Sequence, residues 1–170
     1  MGDAARGDRD LASGLLCPLG MTTVGKQREQ ILVVDDDLDS RLAIADVLQV
    51  AGHMVEMAAN GFEGLQLAAR RWPDLVVSDL QMPGLNGIEF IRRLHLFAPT
   101  VPVVLATGIH DTKNLLTAAA SYGAVACLRK PMNVDDLLWT IDGALIAARQ
   151  REENRPTSSG RVRFRPAYAR

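Results

Sequence analysis

The chain has 170 residues, 48% of them hydrophobic and 23% charged, with a formal net charge of −1. That suits one globular domain with a sizeable core and some residues to spare. The near-neutral balance offers no global field for nucleic acid or an anionic membrane, and no apolar run approaches the roughly 20 residues that cross a bilayer.

Residues 1–28 mix charges, glycines and small residues without periodicity and read as a flexible leader. Within it, LASGLLCPLG (Leu11–Gly20) is too short and broken for an export signal, and Leu16 stands where a lipoprotein cleavage site needs a small residue. Cys17 and Cys127 fit neither a metal-ligand spacing nor a disulfide framework, which favours a reducing, cytoplasmic setting.

From Gln30 onward, short apolar runs alternate with longer amphipathic ones. Strands are expected over Ile31–Asp35, His53–Ala58, Asp74–Asp79, Val101–Thr107 and Ala124–Lys130. Helices are expected over about 39–51, 61–71, 86–96, 111–122 and 133–150. Such alternation predicts an α/β fold, a doubly wound parallel sheet with helices on both faces. In the last helix Val134, Leu137, Leu138, Ile141, Leu145 and Ala148 share one stripe, with Asn133 as N-cap and Asp135 and Asp136 in the first turn. Trp139 and Ile146 lie well off that stripe, and an aromatic anchor on a solvent face suggests a surface for a downstream partner or a homodimer. The tail, residues 151–170, is Arg-rich, broken by Pro156, Pro166 and TSSG, and expected to be a flexible solvated segment. Phe164 and Tyr168 among its arginines leave single-stranded nucleic-acid binding as the less favoured reading.

Parallel α/β sheets bind ligands beyond the carboxyl ends of their strands. The residues closing these strands are Asp35 and Asp36, Asp79, Thr107 and Lys130. Taken singly, each is a cap, a solvated charge or a strand-end residue. Together they bring three acids, a hydroxyl and an amine to one sheet edge. Clustered carboxylates without histidine or cysteine form a hard oxygen site suited to Mg²⁺. A carboxylate there can attack phosphorus to form an aspartyl phosphate, whose oxygens a lysine and a threonine would hold.

From Gln30 to about Gln150 the chain resembles the receiver domain of bacterial two-component response regulators. VVDDD, SDLQMPGLNG, LATG and LRKP carry the resemblance. It implies a flavodoxin-like sheet order, 2-1-3-4-5, and a phosphoacceptor signalling module rather than an enzyme. By the same resemblance Asp79 is the phosphoacceptor. Mg²⁺ would be held by Asp35, Asp36, Asp79 and the Gln81 carbonyl, and Thr107 and Lys130 would hold the phosphoryl group. Pro83 and Gly87 would shape the loop and helix after Asp79, and the Lys130–Pro131 bond can be cis in the family. The partner would be a histidine kinase or a histidine phosphotransfer protein. Cys127 departs from the pattern, standing where the family usually has a switching tyrosine or phenylalanine. Other readings are an N-terminal receiver fragment of a longer regulator and an aspartate-nucleophile phosphatase. The phosphatase reading suffers because Gln81 stands where a second aspartate should follow Asp79.

Overall fold

The structure, a computed structural model, describes residues 28–108 and 120–154. Five strands, β1 (Gln30–Val34), β2 (Met54–Ala58), β3 (Leu75–Asp79), β4 (Val103–Thr107) and β5 (Ala124–Arg129), form one parallel sheet in the order β2-β1-β3-β4-β5. The helices are α1 (Leu38–Val50), α2 (Gly61–Arg71), α3 (Gly87–His95) and α4 (Val134–Glu153). The doubly wound architecture and its strand order therefore match the expectation. The flanking segments 1–27 and 155–170 lie outside the described residues, as does most of the helix expected over 111–122.

Burial explains the apolar strands. Every residue of β3 and β4 is buried, as is all of β1 except its first residue, because these strands are covered on both faces. One core layer packs α2 and α3 against the sheet through Leu32, Val34, Val76, Leu105, Phe90 and Ile91. The other packs α1 and α4 through Ile31, Val33, Val77, Ile44, Leu48 and Ile141. The strands β2 and β5 are partly exposed and close the two sides of the described sheet.

Three helices begin as the local chemistry dictates. Asn60, Asn86 and Asn133 each accept a hydrogen bond from the backbone N–H three residues on, satisfying an orphan donor of α2, α3 and α4. The predicted stripe on α4 needs correction at its start and in its middle. Val134 is exposed, because sheet-facing contact begins only a turn later at Leu137, while Ala144 is buried in addition to Leu137, Ile141 and Leu145. The helix also runs to Glu153, three residues past the expected end at 150.

Within α4, Arg149 pairs with Glu29, which lies buried just before β1. His53 Nδ1 lies 3.3 Å from the same carboxylate. The clasp ties the far end of α4 to the amino ends of β1 and β2, at the side of the sheet opposite the acids.

Candidate functional site

The three consecutive aspartates take three different jobs. Asp35 follows β1 and is only 1% exposed. Its carboxylate accepts from the Asp37 N–H at 3.0 Å and the Ser40 hydroxyl at 2.7 Å. Asp36 is exposed, yet one of its carboxylate oxygens stays within 4.8 Å of those of Asp35 and Asp79. Asp37 is the N-cap of α1, accepting from the Ser40 N–H at 2.7 Å.

Asp79 ends β3 and is buried beside Asp35. Lys130, immediately after β5, reaches between them: its Nζ donates to Asp35 Oδ2 at 2.6 Å and to Asp79 Oδ1 at 2.7 Å. The ammonium is thus the cation that makes the inward-facing acids tolerable. Charge-assisted bonds of this length are roughly twice as strong as neutral ones. The Lys130–Pro131 bond is cis.

Sheet register sets these positions. Asp79 lies opposite Ala106, and Thr107 lies opposite Arg129, the residue before Lys130. The Lys130 N–H donates to the Thr107 carbonyl at 2.8 Å, and Thr107 itself is fully buried. The Gln81 N–H donates to Asp79 Oδ2 at 2.7 Å, fixing the second carboxylate oxygen. Gly87 opens α3 so close to β3 that a Cβ there would lie 2.5 Å from the Asp79 carbonyl and 2.9 Å from Leu80 Cα. Gly87→Ala should therefore cost about 1–3 kcal/mol by overpacking, read as a lowered denaturant midpoint. Parent-like stability would show that the loop can retreat.

Burial raises the Asp79 pKa above its ordinary 3.8, and the nearby Asp35 charge adds to the rise. The Lys130 ammonium and the Gln81 N–H pull the other way without cancelling it. For Lys130, burial disfavours the ammonium, but the bonds and charges of Asp35 and Asp79 outweigh it and raise the pKa.

Ligand oxygens of Asp35, Asp36 and Asp79 lie within 4.8 Å of one another. Opposite ligands of an octahedral ion at about 2.1 Å are about 4.2 Å apart, so small side-chain rotations bring all three onto one cation. The donor set is all oxygen and fits a hard divalent ion.

Ser40 and Arg41 went unrecognised in the sequence. The Ser40 hydroxyl holds the Asp35 carboxylate, and the Arg41 guanidinium donates to the Asp35 carbonyl. Their signal was position, since the first turn of α1 folds back over the residue that precedes its cap. Cys127 is half-buried against the core, where burial pushes its thiol pKa up. That keeps it a small hydrophobe rather than a thiolate.

The response regulator receiver domain family matches residues 31–142. Protein PilH of Pseudomonas aeruginosa is 36% identical over 118 residues, 68% of this chain and 97% of PilH. The C4-dicarboxylate transport transcriptional regulatory protein DctD of the same organism is 37% identical over 126 residues, 74% of this chain. The match spans only 27% of DctD. A CheY-like receiver domain protein from Methanospirillum hungatei superposes with a TM-score of 0.68 at 29% identity, covering 73% of this chain and 98% of that one. With the parallel sheet order, the acid cluster and the bridging lysine, these matches lead to one conclusion: the chain belongs to the response regulator receiver domain family, whose members are phosphoacceptor signalling modules working with histidine kinases or phosphotransfer proteins.

Proposed function

We propose that Asp79 is the phosphoacceptor and that a histidine kinase or histidine phosphotransfer protein is the donor. The observation that carries this reading is the Lys130 ammonium held between Asp35 and Asp79 beside a cation-sized group of carboxylate oxygens. Asp35, Asp36, Asp79 and the Gln81 carbonyl would hold Mg²⁺, which neutralises charge between the acids and the incoming phosphoryl oxygens. The Asp79 carboxylate attacks phosphorus, a P–O bond forms as the donor's P–N bond breaks, and the imidazole nitrogen leaves with the electron pair and takes a proton. Lys130 and Thr107 then face the new phosphoryl oxygens, and no separate substrate is turned over. Two signs support Lys130 in this role: it lies within hydrogen-bond reach of Asp79, and it stays charged there. Incubating the protein with a small phosphodonor should add one phosphoryl group by intact mass in the presence of Mg²⁺ and little after chelation. Equal uptake after chelation would refute the metal assignment.

Output in this reading runs through protein contacts in the cytoplasm, or through further segments of a longer regulator, a reading favoured by the short span of DctD that the chain matches. The contact surface we propose is the face of α4 around Trp139, which is 80% exposed, and Ile146, at 53%. Trp139→Ala should weaken partner binding or self-association by about 1 kcal/mol or more and leave phosphoryl uptake intact. Both can be measured on one variant. Unchanged association would leave Trp139 a bystander, and lost uptake with a lowered melting point would make it structural.

A further inference from the structure

The first turn of α1 is built differently from those of α2, α3 and α4. In those three the third helical residue is an acid: Glu63, Glu89 and Asp136. Such an acid accepts hydrogen bonds near the helix start and suits the positive end of the helix dipole. The Glu63 carboxylate, for example, accepts from the Ala59 N–H at 2.8 Å. In α1 the same position holds Ser40, whose backbone N–H is capped by Asp37. Its side chain serves another residue. The Ser40 hydroxyl donates to Asp35 Oδ2 at 2.7 Å. The Asp37 N–H, which an acid in the third position could bind, donates to Asp35 Oδ1 at 3.0 Å instead.

The lone pairs of Asp35 can then be assigned one by one. Each carboxylate oxygen has about two acceptor sites. Oδ2 is filled by the Ser40 hydroxyl and by the Lys130 ammonium at 2.6 Å. Among the described residues, Oδ1 takes the Asp37 N–H alone and keeps one site open. Asp35 therefore offers a cation Oδ1, not Oδ2.

A cation and the ammonium also compete. The carboxylates that group with Asp36 as candidate ligands, Asp35 and Asp79, are the two that hold Lys130. A divalent ion arriving there repels the ammonium and weakens its bond to Asp35. Asp35 is sealed from water, so its Oδ2 must keep another donor when Lys130 withdraws. Ser40 is that donor. It is neutral, it is anchored in α1, and the cation does not repel it.

We propose that Ser40 is a positioning residue of the metal site. Its hydroxyl holds Asp35 Oδ2, so Oδ1 is left for the cation and Lys130 can leave Asp35 for the phosphoryl oxygens. This role rests on the proposed Mg²⁺ site and is independent of which carboxylate takes the phosphoryl group. Losing the hydroxyl has two opposed effects. A carboxylate with one donor fewer is a stronger base, which alone would tighten metal binding. Against this, Mg²⁺ tolerates little departure from octahedral geometry, and without Ser40 its arrival strands a buried oxygen. The second effect wins, because leaving a buried charged acceptor unpaired costs more than a typical hydrogen bond contributes.

The test is calorimetric titration of the full-length protein with Mg²⁺, without phosphodonor. Ser40→Ala should raise the Mg²⁺ dissociation constant roughly tenfold, the low end for removing a partner of a metal ligand. Ser40→Thr keeps a hydroxyl and should bind nearly as the parent does. Both variants should melt close to the parent in EDTA, because Asp37 caps a backbone N–H that survives and Lys130 still holds Oδ2. Parent-like affinity in the alanine variant would overturn the role, and so would a threonine variant as weak as the alanine one. A lowered melting point in EDTA with parent-like affinity would make Ser40 a structural residue only. A parent that binds no Mg²⁺ would overturn the role together with the metal site. The phosphoacceptor assignment is tested separately, by intact mass.

Discussion

Asp79→Asn should abolish phosphoryl uptake from a small phosphodonor while leaving a folded protein. The amide is nearly the same shape as the carboxylate, and its oxygen can still accept from the Gln81 N–H or from Lys130, which hold the two Asp79 oxygens at 2.7 Å. What disappears is the anionic nucleophile. A neutral amide oxygen attacks phosphorus far more weakly, and the variant cannot form the acyl phosphate. Intact mass should show no gain under conditions that modify the parent completely. Continued gain by one phosphoryl group would move the acceptor elsewhere, with Asp35 the first candidate because it is equally buried and touches the same ammonium. Burial raises the Asp79 pKa above 3.8, so in the metal-free protein lowering the pH protonates this carboxylate sooner than an ordinary aspartate. The sign for stability is the reverse of a paired acid's. Between 3.8 and the raised value, the native state keeps a proton that the unfolded chain has lost, so this group's contribution falls as pH rises through that window.

The frame of the fold was legible because its signals are local. Continuous apolar runs marked β1, β3 and β4 as buried on both faces, and Asn133 announced the start of α4. The strand-closing residues could be gathered at one sheet edge by topology alone, without a single distance. What sequence could not supply was the division of labour within that edge. Asp35 and Asp36 are neighbours of the same type, yet one is sealed in by Ser40 and Asp37 while the other faces solvent. Sequence placed Lys130 at the same edge but did not show that, 95 residues along from Asp35, its ammonium occupies the space between Asp35 and Asp79. The Glu29–Arg149 pair was invisible for the same reason, since nothing local in either segment names its distant partner. Val134 shows a third limit: periodicity gives the face of a helix but not how far along it the packing extends.

The Lys130 ammonium should carry the largest stability effect in the site. Lys130→Met keeps an unbranched apolar stem but leaves the Asp35 and Asp79 carboxylates facing one another with little water. Two such charges about 4 Å apart repel by roughly 4 kcal/mol at an effective dielectric near 20, and removing one partner of a buried pair costs about 3–5 kcal/mol. The lysine side chain is 22% exposed, so water recovers part of this, and a loss of about 2–4 kcal/mol at neutral pH is expected. The deficit should shrink as pH falls, because protonating Asp79 removes the repulsion. It should shrink at the alkaline end as well. The Lys130 pKa is raised above 10.5 by its two acids, so its stabilising contribution is complete below that value and lost as pH rises through the raised one. Added Mg²⁺ should recover more stability in the variant than in the parent, since the cation then replaces the missing positive charge and binds only the folded form. Denaturant unfolding of both proteins across a pH series, with and without Mg²⁺, measures all three effects. Equal stability at every pH would mean that the ammonium does not offset the charges of Asp35 and Asp79, and the electrostatic basis of the site would have to be redrawn.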